Sequence, residues 1–205
     1  MSRCALKWAM VCACAAAGML LADAPGKLAV WDGDQNAGGG GWAAPKADAI
    51  TVAVTDDGGR KMQDKQLKAL KFTTAVDAQT WTGFGWNWHG WWPEDVCDDV
   101  SGCKNLVLSM KIVYKAGKDP GALQVWLVSN PNPDKNAQHV TEKINPVDFC
   151  PNLVDGAWHE VVVPMSKLVN KDFVPAKAWE IDMGSWADHP QDFQVFIDYI
   201  GFDNR

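Results

Sequence analysis

Leu106-Val107-Leu108-Ser109-Met110-Lys111-Ile112-Val113 alternates between two kinds of side chain. Leu106, Leu108, Met110 and Ile112 recur at every second residue, the period at which an extended chain turns successive side chains to opposite faces. The segment therefore reads as a strand with one core face, and Val107, Ser109, Lys111 and Val113 make the other. The same pattern spreads outward from it. Leu123, Val125 and Leu127 point inward and turn Gln124 and Trp126 outward; Trp179, Ile181 and Met183 point inward and leave Glu180, Asp182 and, if the strand runs on, Trp186 outside. Residues 27–31, 50–54, 67–73, 83–88, 158–163 and 193–202 give further strands, each bounded by Gly, Pro, Asp or Asn clusters. Residues 32–41, ending in the run Gly38 to Gly41, read as a loop, and residues 165–169 as a short helical turn. No amphipathic segment reaches the usual helix length of about 8–20 residues. Many strands with turn signals between them and no crossover helices predict an all-β fold, an antiparallel β-sandwich.

The 205 residues suffice for one domain with a full hydrophobic core. Arg3 and Lys7 precede an apolar run over residues 8–21, followed by Ala22-Asp23-Ala24, which is the layout of a secretory signal peptide. Residues 1–24 are accordingly read as a leader and 25–205 as a single domain; cleavage at Ala22 or slightly earlier stays open, because cleavage after Ala24 would leave Pro25 at the new terminus. The apolar run is short for a membrane span, which needs about 20 residues. The expectation is an exported monomer without a membrane span, secreted, periplasmic or on the cell surface. Beyond the leader stand Cys97, Cys103 and Cys150. In an oxidising compartment Cys97 and Cys103 would staple one loop, or Cys150 would pair with either of them. A net charge of −6 without a basic cluster beyond the leader argues against nucleic acid and anionic membranes as partners.

Chemistry concentrates in WTGFGWNWHGWW, residues 81–92, which holds five of the chain's twelve tryptophans. Each Trp buries roughly 150–250 Å² and needs a partner for its indole N–H, so the segment is too crowded for every ring to enter one small core. Flat, amphipathic rings held at a surface suit the pyranose rings of a polysaccharide. Phe84, Trp86 and Trp88 alternate with Asn87 and His89, and either face suits a core. Trp91 and Trp92 are adjacent and cannot both turn inward from one strand. The candidate ligand-binding set is Trp86, Asn87, Trp88, His89, Trp91 and Trp92 from this segment. If the flanking strands share a sheet, Lys111, Gln124, Trp126, Glu180, Asp182 and Trp186 join it.

Three further segments carry a family resemblance. Asp155-Gly-Ala-Trp158-His-Glu-Val-Val-Val-Pro164-Met-Ser-Lys-Leu168, Val195-Phe-Ile-Asp198-Tyr-Ile-Gly-Phe202 and Asp99-Val-Ser-Gly-Cys-Lys-Asn-Leu-Val-Leu-Ser-Met-Lys111 resemble, in chain order, segments of the β-jelly-roll carbohydrate-binding modules of galactose-binding-like type found beside glycoside hydrolases. The resemblance implies a jelly-roll sandwich, non-catalytic binding of a polysaccharide or oligosaccharide on a concave sheet or its edge loops, and often one structural calcium ion. Asp32 or Asp34 with Asp198 are the candidate ligands for that ion, and no other cofactor is expected.

Two rivals stand beside a binding module: a jelly-roll polysaccharide-degrading enzyme, and a cell-surface adhesion or structural protein. An enzyme needs a paired acid and base, for which Glu180, Asp182, Glu94, Asp95 and His89 are the available groups. Glu180-Ile-Asp182 matches the start of the Glu-x-Asp-x-x-Glu signature of retaining β-glucanases, but Ser185 stands where the proton donor belongs. His89, His139, His159 and His189 share no metal-ligand spacing.

Overall fold

The computed structural model describes residues 28–33, 40–44, 50–62, 65–74, 82–90, 96–114, 123–132, 138–185 and 193–205. The expected leader and Asp34, Trp91, Trp92, Glu94, Asp95, Trp186 and His189 lie outside the described residues. The strands are β1 (Leu28–Trp31), β2 (Gly40–Ala44), β3 (Ile50–Thr55), β4 (Lys61–Met62), β5 (Lys65–Gln66), β6 (Ala69–Thr74), β7 (Thr82–Asn87), β8 (Asn105–Tyr114), β9 (Gln124–Ser129), β10 (His139–Val140), β11 (His159–Pro164), β12 (Ala178–Ser185) and β13 (Phe193–Asp203). Helix among the described residues is confined to the single turn α1 (Met165–Leu168) and short 3-10 turns.

Two antiparallel sheets face each other. The front sheet runs β10-β9-β12-β7-β2 and the back sheet β11-β8-β13-β6-β3, with β1 also pairing β13; β4 and β5 form a separate small hairpin. The alternation in β8 lands as expected, since Leu106, Leu108, Met110 and Ile112 are fully buried between the sheets. Leu123, Val125, Leu127, Ile181 and Met183 meet them from the front. Phe84, Trp86 and Trp88 join the same core. Phe84 stacks on Phe72 at 4.7 Å, Trp86 meets Trp31 edge-on at 5.8 Å, and Trp88 meets Phe202 edge-on at 6.4 Å. Trp86 and Trp88 are thus core residues, which removes them from the outer face expected of ligand contacts.

Three other expectations are corrected. Lys111 belongs to the back sheet, while Gln124, Trp126, Glu180 and Asp182 belong to the front sheet. Period-two alternation assigns a side chain to a face but not a strand to a sheet. Lys111 instead spreads its ammonium over the rings of Phe196, at 4.3 Å, and Trp158, at 5.4 Å, on the far side of the sandwich. Trp179 does not point inward with Ile181. A register shift between Ala178 and Glu180 inserts one extra residue against β9, so Ala178 enters the core and Trp179 packs outside with Trp126 and Val128. No disulfide joins Cys97, Cys103 and Cys150 to one another. Cys97 packs against Trp126, Val128 and Trp179, whereas Cys103 and Cys150 pack against the core between the sheets. Nearness in sequence did not place Cys97 and Cys103 in one cluster.

A second bulge matters for the expected calcium site. On β13 the register shifts between Ile197 and Tyr199, so Asp198 is the extra residue and its side chain is fully buried. Arg60 answers it: its backbone N–H donates to Asp198 Oδ2 at 2.7 Å, its Nε donates to Oδ1 at 3.0 Å, and its Nη2 donates to the carbonyls of Asp32, at 3.0 Å, and Asp198. The guanidinium also lies 4.5 Å from the centroid of the Tyr199 ring. Both Asp198 oxygens are committed to Arg60, and Asp32 offers a carbonyl already engaged by the same guanidinium. Asp198 thus meets a guanidinium where the calcium expectation would place an ion, and among the described residues no three metal-ligating side chains come together.

Candidate functional site

The outer face of the front sheet is built in rows by strand register. Asp182 on β12 lies opposite Trp126 on β9 and Gly85 on β7, and Gly85 lies opposite Trp42 on β2. The row therefore reads Trp126, Asp182, Gly85, Trp42. The next row carries Val128, Glu180 and Asn87. Glu180 and Asp182 are two residues apart on one strand, hence on one face, and both are buried.

Gly85 makes this row possible. A Cβ there would lie 2.0 Å from Asp182 Oδ1, 2.4 Å from Trp42 Nε1 and 2.9 Å from Glu180 Oε1. The space above the glycine is filled by the edge of an indole and two carboxyl oxygens. Trp42 reaches across it and donates its single N–H between them, to Glu180 Oε1 and, at 3.1 Å, to Asp182 Oδ1. Asp182 accepts from the Trp126 indole on its other side and is hydrogen-bonded to Glu180. Burial pushes both up from the usual carboxylate range; Asp182 rises well above it, with the Glu180 charge adding to its burial.

Of the two indoles, Trp42 keeps part of its surface in solvent while Trp126 is 4% exposed. Trp126 does turn away from the core, as alternation predicts. It is covered locally by the Lys143 ammonium, 4.3 Å from its ring centroid, and by the cluster of Val128, Trp179 and Cys97. Gln124 is partly exposed on the same strand.

Beyond β7 the chain turns sharply. Gly90, at φ 81°, donates its N–H to the Asn87 carbonyl at 3.3 Å, and the His89 N–H donates to Asn87 Oδ1 at 3.1 Å. Asn87 is wholly buried, and its amide nitrogen has no hydrogen-bond partner among the described residues. Asp98 Oδ2 accepts from the Trp88 indole at 2.6 Å and contacts His89 Nε2 at 2.7 Å. This fixes His89, partly exposed, at the end of the face.

The structure thus brings together Asn87, His89, Gln124, Trp126, Glu180 and Asp182 around the front sheet. It sends Trp86 and Trp88 inward and Lys111 to the opposite side. Trp42 and Gly85 were missed. Trp42 directly follows the glycine run that reads as loop, and its strand is too short to show a period. Gly85 did carry a signal: a glycine inside a strand marks a place where another group approaches closely.

No family model and no curated protein matches the chain. Solved structures do match, and their likeness defines the fold as the β-jelly-roll of carbohydrate-binding modules. A family 30 carbohydrate-binding module of a cellulosomal cellulase from Clostridium thermocellum superposes with a TM-score of 0.62 at 15% identity, covering 87% of this chain and 98% of its own. A further family 30 module gives 0.63 at 14% identity, over 87% and 88%. A family 11 module from Clostridium thermocellum, solved in complex with a β-1,3-1,4-mixed-linked tetrasaccharide, gives 0.54 at 12% identity, over 87% and 96%.

Proposed function

We propose that this chain is an exported, non-catalytic glycan-binding protein whose ligand lies across the outer face of the front sheet. The observation that carries the reading is the Trp42 indole, partly exposed and fixed above Gly85 by the Glu180–Asp182 pair. A ring whose polar edge is already bonded to the protein presents its apolar face outward. That is the surface on which the C–H face of a sugar ring stacks, with Gln124, three strands away on β9, and His89, just past the end of β7, as further polar groups for hydroxyls. The family 11 module of like fold, solved in complex with a β-1,3-1,4-mixed-linked tetrasaccharide, agrees with this choice of ligand class. Glu180 and Asp182 are buried beneath the Trp42 indole, and position 185 is a serine where a retaining β-glucanase carries its proton donor, so this pair is not set up for hydrolysis.

The test is calorimetric titration of the purified chain with soluble β-1,3-1,4-glucan, beside a reducing-end assay. The parent should bind and release no reducing ends. Trp42→Ala should bind about 5- to 100-fold more weakly, the loss expected of about 1–3 kcal/mol for one stacked ring by analogy with base–aromatic stacking. It should melt within a few degrees of the parent. A parent that binds none of a panel of β-glucans, xylan and mannan would refute the reading, as would Trp42→Ala binding like the parent.

A further inference from the structure

The outer face of the back sheet carries a row of its own, which the front face leaves unused. Lys71 on β6 and Lys111 on β8 both lie opposite Phe196 on β13, one from each side. Their chain neighbours Leu70, Phe72, Met110, Ile112, Val195 and Ile197 are fully buried, so alternation turns all three outward. His159 pairs with Met110, which sets Trp158, one residue earlier, beside Lys111 as the next member of the row. The two ammoniums converge on one ring: Lys71 stands 5.1 Å and Lys111 4.3 Å from the Phe196 centroid, and Lys111 also lies 5.4 Å from that of Trp158. Cations drawn together call for an anion, yet the neighbouring acids are engaged elsewhere. Asp198 meets Arg60, Glu160 meets Arg205 and Asp155 meets His159; among the described residues no carboxyl lies within ion-pair distance of Lys71 or Lys111. The aromatic faces steady the ammoniums but bring no net charge. In a chain of net charge −6, positive charge here stands unmatched.

We propose that this row binds an acidic polysaccharide, with a sugar carboxylate seated between Lys71 and Lys111 and the sugar ring against Trp158. One carboxylate has two acceptor oxygens, enough to take a hydrogen bond from each ammonium and relieve their mutual repulsion. Trp158 keeps part of its surface in solvent. Its position is fixed from one side by Gly59, packed so closely that a Cβ there would lie 2.2 Å from Trp158 Cγ. Hydrogen-bonding groups flank the row, Thr73 and Gln194 on one side and Ser109 and Tyr199 on the other. Hydroxyls and an amide suit the hydroxyls of a sugar, and the indole supplies the apolar contact. An acidic peptide would use the charges alone. The site lies on the opposite side of the sandwich from Trp42, and it stands whether or not the front face binds β-glucan.

The experiment titrates the full chain with polygalacturonate at about 0.15 M ionic strength, where exposed charges more than about 8 Å apart are largely screened. Fully methyl-esterified polygalacturonate is the neutral control, and polyglutamate is the acidic polymer without sugar rings. The parent should bind polygalacturonate at least about tenfold more tightly than either control. Lys71→Met and Lys111→Met remove a charge while keeping an apolar stem over Phe196. Each should melt near the parent and lose about tenfold or more in polygalacturonate affinity, the loss of one charge-assisted contact. Trp42→Ala should hold polygalacturonate as the parent does. Should a methionine variant fail to fold, the glutamine variant at the same position takes its place with the same expected loss. No binding of polygalacturonate by the parent overturns the proposal, as do lysine variants that bind like the parent. Equal binding of the esterified polymer or of polyglutamate overturns it too, the first by removing the role of charge and the second by removing that of the sugar. Polygalacturonate held by the parent and lost in the lysine variants, with no β-glucan bound, supports the back-face row and sinks the front-face reading alone.

Discussion

Gly85 is the residue on which the front face turns, and it acts through the atom it lacks. Its missing Cβ leaves room for Trp42 Nε1 and the Asp182 oxygen, both of which would lie closer than 3 Å to that carbon. The carboxyl lies in the buried row and cannot retreat, whereas Trp42 keeps part of its surface in solvent and can swing outward. Gly85→Ala should therefore displace Trp42 rather than merely tighten the sheet. Overpacking of this kind typically costs about 1–3 kcal/mol, and glucan affinity should fall as far as in Trp42→Ala. Thermal melts beside calorimetric titration check both halves; an alanine variant that keeps the parent's melting point and affinity would show that the indole has another resting place.

At the scale of elements, sequence reading went furthest where one strand decides its own fate. The strand at 105–114 declared its core face through four apolar residues at period two, and those four are buried. Reading failed where the answer depends on a partner. Lys111 and Trp126 both point away from the core, but on opposite sheets, and only strand pairing separates them. Trp179 was misplaced because a bulge carries no local signature, and β2 was lost in a glycine run. The bulge on β13 shows the same limit. Asp198 looks like a metal ligand in sequence, yet the cation it meets is Arg60, which lies 138 residues away. Removing that guanidinium in Arg60→Ala leaves a buried carboxylate with one backbone donor, which should cost about 2–4 kcal/mol. Calcium should not restore the loss, and a chelator should leave the parent's melting temperature unchanged. A calcium-dependent rise in the melting point of the parent would show that Asp198 serves a metal after all.

For the whole molecule, the core and the proposed binding face occupy different layers. The inter-sheet core holds Trp31, Trp86 and Trp88 among its aliphatic residues, while the outer row holds Trp42 and Trp126 around two carboxyls. Carrying tryptophan in both layers is why the crowded segment at 81–92 did not by itself separate core rings from outer ones: Trp86 and Trp88 enter the core, while Trp91 and Trp92 lie outside the described residues. One placement has a dynamic consequence. Trp42 rides on β2, the terminal strand of the front sheet, paired on one side by β7. A strand at the margin opens at lower cost than the molecule as a whole. The amides of β2 should thus trade their hydrogens for deuterium well before those of β12, and saturating glucan should slow them selectively. Equal exchange in the two strands would mean that the margin is as firmly closed as the centre. Under the proposed reading, the strand that carries the stacking ring is then the part that comes loose first, and a bound polysaccharide would fasten it down.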